Sequence, residues 1–154
     1  MLNNLRDLSL LSNFIMKTLQ FSVVHRLIVS GWLNEAGRSS GQTLSDLSKM
    51  LKLVDKLVFT EEENEQFQVK IENRKDAEGN EIRDAKTGNV VQQMAWKSKD
   101  EAGNDIDIKK EFELSDEQVT ILKDLIKAKD ERKEFNFEGM SVVAEIAEQV
   151  GYSF

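Results

Sequence analysis

The chain has no cysteine, no proline and a single histidine among 154 residues. Without cysteine there is no disulfide, no thiolate metal site and no cysteine nucleophile, a composition compatible with a reducing cytosol. One histidine rules out a multi-histidine metal centre. The lack of proline, against an average near 5%, has no physical explanation in the sequence. A clean apolar run is missing too: residues 14–33 are the most apolar stretch, but Lys17, His25 and Arg26 interrupt it. A membrane-spanning helix needs roughly 20 mostly apolar residues, so no span is expected. Nor does the start read as a signal peptide, because Arg6 and Asp7 fall within residues 2–11 and no small-residue cleavage pattern follows. The expected location is the cytoplasm.

What is present is the composition of a folded soluble protein, 40% hydrophobic and 32% charged, with a net charge of -7. That sign argues against nucleic acid as the main partner. The length suits one domain that buries about two-thirds of the surface of its unfolded chain.

Leu19 and Phe21 alternate with Thr18, Gln20 and Ser22 as in a strand, and then Val24, Leu27, Ile28 and Trp32 share one helical face. Ser22 suits the N-cap of that helix and Gly37 its terminator; one long helix over residues 8–36 is the alternative. Thr43 caps a second helix, whose row Leu44, Leu47, Leu51, Val54 and Val58 reads as its core-facing side. Thr60 and Glu63 form a capping box, with three glutamates in the first turn where the helix dipole favours them.

Three strands follow, over residues 68–73, 90–97 and 106–114. The last has Ile106, Ile108, Phe112 and Leu114 on one face and Asp107, Lys109, Glu111 and Glu113 on the other, as expected for a sheet with one wet side. Ser115 with Gln118 is a capping box and Leu114 with Val119 a hydrophobic staple, so a helix begins there. A last helix spans about residues 138–150 and stops at Gly151.

The pattern G-x-S-x-G in "GRSSG" has a helix before it and no histidine after it, so Ser39 reads as a loop residue rather than a nucleophile. His25 lacks the companions of a metal site and reads as a helix-start residue. Three Gly-Asn pairs, at 79–80, 88–89 and 103–104, sit among carboxylates, but none has the spacing of a calcium loop. They read as turns, because glycine and asparagine tolerate positive φ. The stretch 74–89 is too long for a simple hairpin turn and is expected to project as an arm, with a minor ribbon at residues 81–83. Trp96 and Trp32 are large enough for interface anchors or for ordinary core residues.

The order of "MKTLQFSVVHRLIVSGWLNEAG", "LSDLSKMLKLVDKLVFTEEENEQF", a tryptophan strand and "IDIKKEFELSDEQVTILKDLI" resembles the layout of small uncharacterised proteins of tailed bacteriophages and prophages. The resemblance spans residues 16–128 and brings no catalytic residues. Against it, residues 1–15 are an added segment and the hairpin region is enlarged.

The expectation is an α+β chain: an N-terminal extension over residues 1–15, then a single domain over 16–154 with a small, mainly antiparallel sheet, helices packed on one face and a projecting arm. The expected function is that of a non-enzymatic interaction or assembly protein, phage-encoded, working through a protein partner or as a homo-oligomer, with no cofactor and no metal. The candidate contact residues are Leu5 and Leu8 in the leucine-spaced N-terminal segment, Trp96, and the terminal aromatics Tyr152 and Phe154. The alternatives are an acidic inhibitor of a nucleic-acid-binding or host enzyme, disfavoured by the interleaved lysines, and an enzyme confined to carboxylates.

Overall fold

Helix starts are where this sequence is most explicit, and the computed structural model, which describes residues 16–39 and 41–154, places a helix at each one. Ser22 precedes α1 (Val23–Arg38), Thr43 precedes α2 (Leu44–Leu57), Thr60 precedes α3 (Glu61–Phe67) and Ser115 precedes α4 (Asp116–Glu131). In α2, α3 and α4 the cap hydroxyl accepts from the backbone N–H three residues on, which satisfies one of the donors a helix start leaves open. The fifth helix, α5 (Met140–Val150), lies between Gly139 and Gly151. With strands β1 (Met16–Phe21), β2 (Lys70–Asn73), β3 (Gln92–Ala95) and β4 (Lys110–Ser115), the described chain is of the α+β class expected.

The strands form two separate antiparallel pairs rather than one sheet, β1 with β4 and β2 with β3. The elements group into two compact units: the described residues up to Val58 together with Lys109–Phe154, and the insert Phe59–Ile108. A single domain over residues 16–154 is what composition and spacing predict. Nothing in composition marks either seam.

In the first unit β1 runs against β4 in a register from Met16 opposite Ser115 to Phe21 opposite Lys110. Period-two alternation turns Leu19, Phe21, Phe112 and Leu114 inward, while Thr18, Gln20, Glu111 and Glu113 are exposed. Leu33, Leu53, Leu57, Leu122, Ile126, Ile146 and Val150 from the helices complete the core on that one face. The outer edge of β1 is met by Gln149: its amide donates to the Gln20 carbonyl at 2.9 Å and its oxygen accepts from the Gln20 N–H at 2.7 Å. That is the pairing a further strand would make.

Several boundaries differ from those expected: β2 spans Lys70–Asn73 rather than 68–73, β3 Gln92–Ala95 rather than 90–97, and the last helix starts at Met140 rather than about 138. β4 begins at Lys110, not at residue 106, because its partner ends at Phe21, while Asp105 and Ile106 pair instead with Lys99 and Ser98 in a separate hairpin; Ile108 is exposed. Helix α1 continues through Gly37 to Arg38. Glycine inside a helix costs only about 1 kcal/mol, too little to end a helix that packing still supports.

In the insert, β2 pairs with β3 from Lys70 opposite Ala95 to Asn73 opposite Gln92. Beyond that ribbon the stretch expected as an arm resolves into two short hairpins, with Lys75 opposite Glu81 and Arg83 opposite Val90. They meet the ribbon in a ring of three backbone hydrogen bonds: Arg74 N–H to Val91 O, Val91 N–H to Ile82 O and Ile82 N–H to Arg74 O. The first hairpin turns at Gly79, φ 87°, and a third, with Lys99 opposite Asp105, turns at Gly103, φ 85°. In both, the N–H of the following asparagine donates to the aspartate that opens the turn, Asp76 or Asp100. The repeated Asp…Gly-Asn signature is therefore a turn device.

Candidate interaction surface

Helix α2 carries two apolar rows about 100° apart around its axis. One is Met50, Leu53 and Leu57; the other is Leu44, Leu47, Leu51 and Val54, continued by the C-cap residue Val58. The helical spacing of the second row predicts that it faces the core. The structure corrects this: Leu53 and Leu57 are fully buried, whereas Leu44 is 86%, Leu51 61% and Val58 59% exposed, with Leu47 and Val54 half-buried.

The physical reason lies outside the helix. Arg26 of α1 donates from Nε to Leu57 O and from its terminal nitrogen to Val58 O, gripping the last turn of α2. On another flank Lys56 donates to Glu113 O at 2.6 Å and to Gln118 Oε1 at 3.0 Å. These polar ties set the rotation of α2, and no periodicity within α2 contains them. Alongside the outward row, a groove of about 290 Å³ runs between α1 and α2, lined by Leu33, Asn34, Gly37 and Arg38 on one wall and by residues of both α2 rows on the other.

A second apolar patch lies within the insert. Ile71 and Met94 are directly opposed across the β2–β3 ribbon, and both are exposed. Trp96 continues that strand alternation but is half-buried, its Nε1–H donating to Asp107 Oδ2 at 3.1 Å.

The other candidate residues fall in different places. Tyr152 folds back on its own unit: its hydroxyl donates to Asp130 Oδ2, a bond that raises the Tyr152 pKa above its ordinary value, with burial adding to the shift. Phe154 is exposed. Leu5 and Leu8 lie outside the described residues.

Charged and catalytic-looking groups are largely accounted for by local structure. His25 Nδ1 accepts from the Ser22 backbone N–H at 3.2 Å and lies 2.5 Å from Ser22 Oγ, while Nε2 faces Glu145 Oε2 at 2.7 Å. An Nδ1 that accepts a backbone N–H leaves the ring proton of the neutral form on Nε2, donated to Glu145. That hydrogen bond holds the Glu145 carboxyl below its ordinary pKa, against the opposing effect of burial and with help from the Lys109 charge. The Ser–His–Glu line has the order of a hydrolase triad, but the hollow beside Glu145 is lined by Thr18, Gln20, Lys109, Glu148 and Gln149, not by Ser22 or His25. What the line does here is close the start of α1.

Between α1 and α4, a cleft of about 320 Å³ holds Trp32, Glu35, Lys129, Arg132 and Glu134. Lys129 is nearly buried and pairs with Glu35 at 3.1 Å and Glu134 at 3.9 Å, and Arg132 pairs with Glu134 at 2.9 Å. The cleft thus neutralises its own charges. Asp84 and Asp100 have lowered pKa values because they accept turn N–H bonds, chiefly from Thr87 and Asn104 respectively. Among the described residues no three carboxylates or imidazoles gather as a metal site, and no helix is long and apolar enough to cross a membrane.

Comparison with protein-family models, with curated proteins and with solved structures finds no match to this chain.

Proposed function

We propose that this chain is a non-enzymatic interaction or assembly protein that works through the outer row of α2. The observation that carries the reading is the exposure of Leu44, Leu51 and Val58 along one helix face. Scattered exposed apolar residues are ordinary on a protein surface, but three at seven-residue spacing beside a groove suit helix-in-groove recognition. A cytoplasmic setting and a phage origin, as the layout resemblance implies, suit a small assembly component. An acidic inhibitor would rest on a continuous carboxylate face, whereas the carboxylates here are interleaved with lysines.

The test compares the full chain with Leu51→Glu for binding in the native source and for mass by light scattering. The reading expects the wild type to carry a protein partner, or further copies of itself, and the variant to lose it by tenfold or more, since a carboxylate in an apolar contact goes unpaired. If both forms are monomers with no partner, or bind one equally well, the reading fails.

A further inference from the structure

Residues 90–96, which include β3, form an extended strand that is paired on one side only. That side is filled along its length. Val91 N–H donates to Ile82 O and Val91 O accepts from Arg74 N–H, β2 pairs with Gln92–Ala95, and Lys97 N–H donates to Phe67 O. In an antiparallel ladder the backbone groups of successive residues alternate between the two edges. The groups of Gln93 and Ala95 therefore face β2 as those of Val91 and Lys97 do, and the N–H and C=O of Val90, Gln92, Met94 and Trp96 face away. Among the described residues those outward groups make no hydrogen bond. The outer side is taken up only at Ser98, whose carbonyl accepts from Ile106 in the return strand of the third hairpin.

Proteins guard an edge of this kind with lysine, proline or a bulge. Residues 90–96 read VVQQMAW, with no charge and no proline, and Gln92, Gln93 and Met94 are exposed. The β2 edge differs. It carries Lys70 and Glu72, and Asn73 is tied through its side chain to Glu81 at 3.0 Å.

We propose that the open edge at residues 90–96 takes an extended, lysine- or arginine-rich segment of another protein as an added strand. This contact goes beyond the α2 row and does not depend on it. In such additions main-chain hydrogen bonds supply affinity, and alternate side chains, here Met94 and Trp96, supply selectivity.

Charge selects the occupant. With the bounds of the insert known, it holds 13 Asp and Glu against 7 Lys and Arg, a net of -6 out of the chain's -7. Of those cations, Lys70, Arg83 and Lys99 already lie within 4.0 Å of carboxylates. Two such edges from two copies repel, whereas a basic strand is attracted. The added strand also lies in line with the return strand of the third hairpin, which carries Asp105 and Asp107. Cationic side chains at that end meet carboxylates.

Three capped peptides test this on the full chain: alternating lysine and valine, the same with every amide N-methylated, and alternating glutamate and valine. Anisotropy of the labelled peptides reads affinity, and amide hydrogen exchange locates the contact. The first peptide is expected to bind roughly tenfold or more tighter than either of the others. In the free chain the outward Met94 amide should exchange roughly tenfold faster than the ladder amide of Gln93, and it should slow by about that factor when the first peptide saturates. Met94→Pro removes an outward donor that the β2–β3 ladder does not use, a place where an edge strand tolerates proline. It should weaken binding about tenfold, whereas Ile71→Pro, on the opposite edge, should leave it within about twofold.

Equal affinity for the N-methylated peptide overturns the proposal, since charge alone then accounts for binding. Equal affinity for the glutamate peptide overturns it too, as does no binding by any of the three, or a larger loss in Ile71→Pro than in Met94→Pro. A Met94 amide already protected in the free chain means that the edge is covered beforehand, by a second copy if light scattering gives a dimer and by the chain itself if it gives a monomer; either result overturns it. If circular dichroism shows Met94→Pro unfolded, the two lysine peptides on the wild type decide.

Discussion

The Arg26 guanidinium, 2% exposed, donates from Nε to the Leu57 carbonyl at 3.0 Å and from its terminal nitrogen to the Val58 carbonyl at 2.9 Å. Its carbon also lies 5.1 Å from the centre of the Phe112 ring. One side chain of α1 thus closes the end of α2, where the helix dipole favours a cation, and packs on β4.

Arg26→Met should therefore destabilise the chain by about 2–4 kcal/mol, because the buried Leu57 carbonyl and the part-buried Val58 carbonyl lose charged donors. Arg26→Lys should recover only part of this, since a single ammonium lacks the planar fork that reaches both oxygens. Urea denaturation at fixed pH measures both. A loss under about 0.5 kcal/mol for Arg26→Met would show that α2 does not depend on this grip.

Leu51 and Leu53 are two residues apart and opposite in environment. Leu53→Ala should cost about 2–5 kcal/mol, as for other fully buried leucines. Leu51→Ala, measured in dilute protein, should stay within about 0.5 kcal/mol of wild type. Reversed costs would mean that α2 presents its other row to the core.

The Glu145 carboxyl has a folded-state pKa lowered from its ordinary 4.5 by the His25 hydrogen bond and the Lys109 charge. A depressed carboxylate stabilises the fold above its ordinary pKa and loses that contribution as pH falls through the lowered value. Glu145→Gln keeps an acceptor for His25 but no charge. The gap in Tm between wild type and this variant should be widest above pH 4.5, narrow on acidification and close once Glu145 is protonated in the fold. A gap that does not change with pH would exclude a role for the charge.

At the tip of the third hairpin Gly103 has φ 85°. Gly103→Ala should cost that hairpin roughly 1–2 kcal/mol, the strain of a side chain in the left-handed region. Gly103→Asn should cost less. The Ile106 amide, which donates to Ser98 O at 2.9 Å, reports on it: hydrogen exchange there should quicken roughly five- to thirtyfold in Gly103→Ala. Unchanged exchange would mean that the hairpin does not need its glycine.

What could be read from the sequence was what neighbouring residues decide among themselves. Thr60 with Glu63 and Ser115 with Gln118 close their boxes within four residues, and the α+β class follows from such signals. The limits of β4 were not legible, because they are set by β1, about 90 residues earlier in the chain. The rotation of α2 was hidden for a similar reason: Leu51 and Leu53 are equally apolar, and only Arg26, Lys56 and the core between them choose which is covered. The candidate surface was missed on that account, since a row with helical spacing looks the same whether it faces inward or out. A second apolar row on the same helix was the available sign that one of the two would be left over.

The pairing of β1 with β4 also orders events in time. Phe21 meets Lys110, so the central ribbon of the first unit closes a loop of about 90 residues, and such closure is paid in chain entropy before any contact is returned. The hairpins of the insert close over only a handful of residues each. A chain emerging from the ribosome therefore has its insert's turns within reach early, while β1 waits for a partner that is made some 90 residues later. During that wait the apolar face of β1, Leu19 and Phe21, has no strand beside it, and this interval is where a chaperone or a misfolding event would act on the nascent protein.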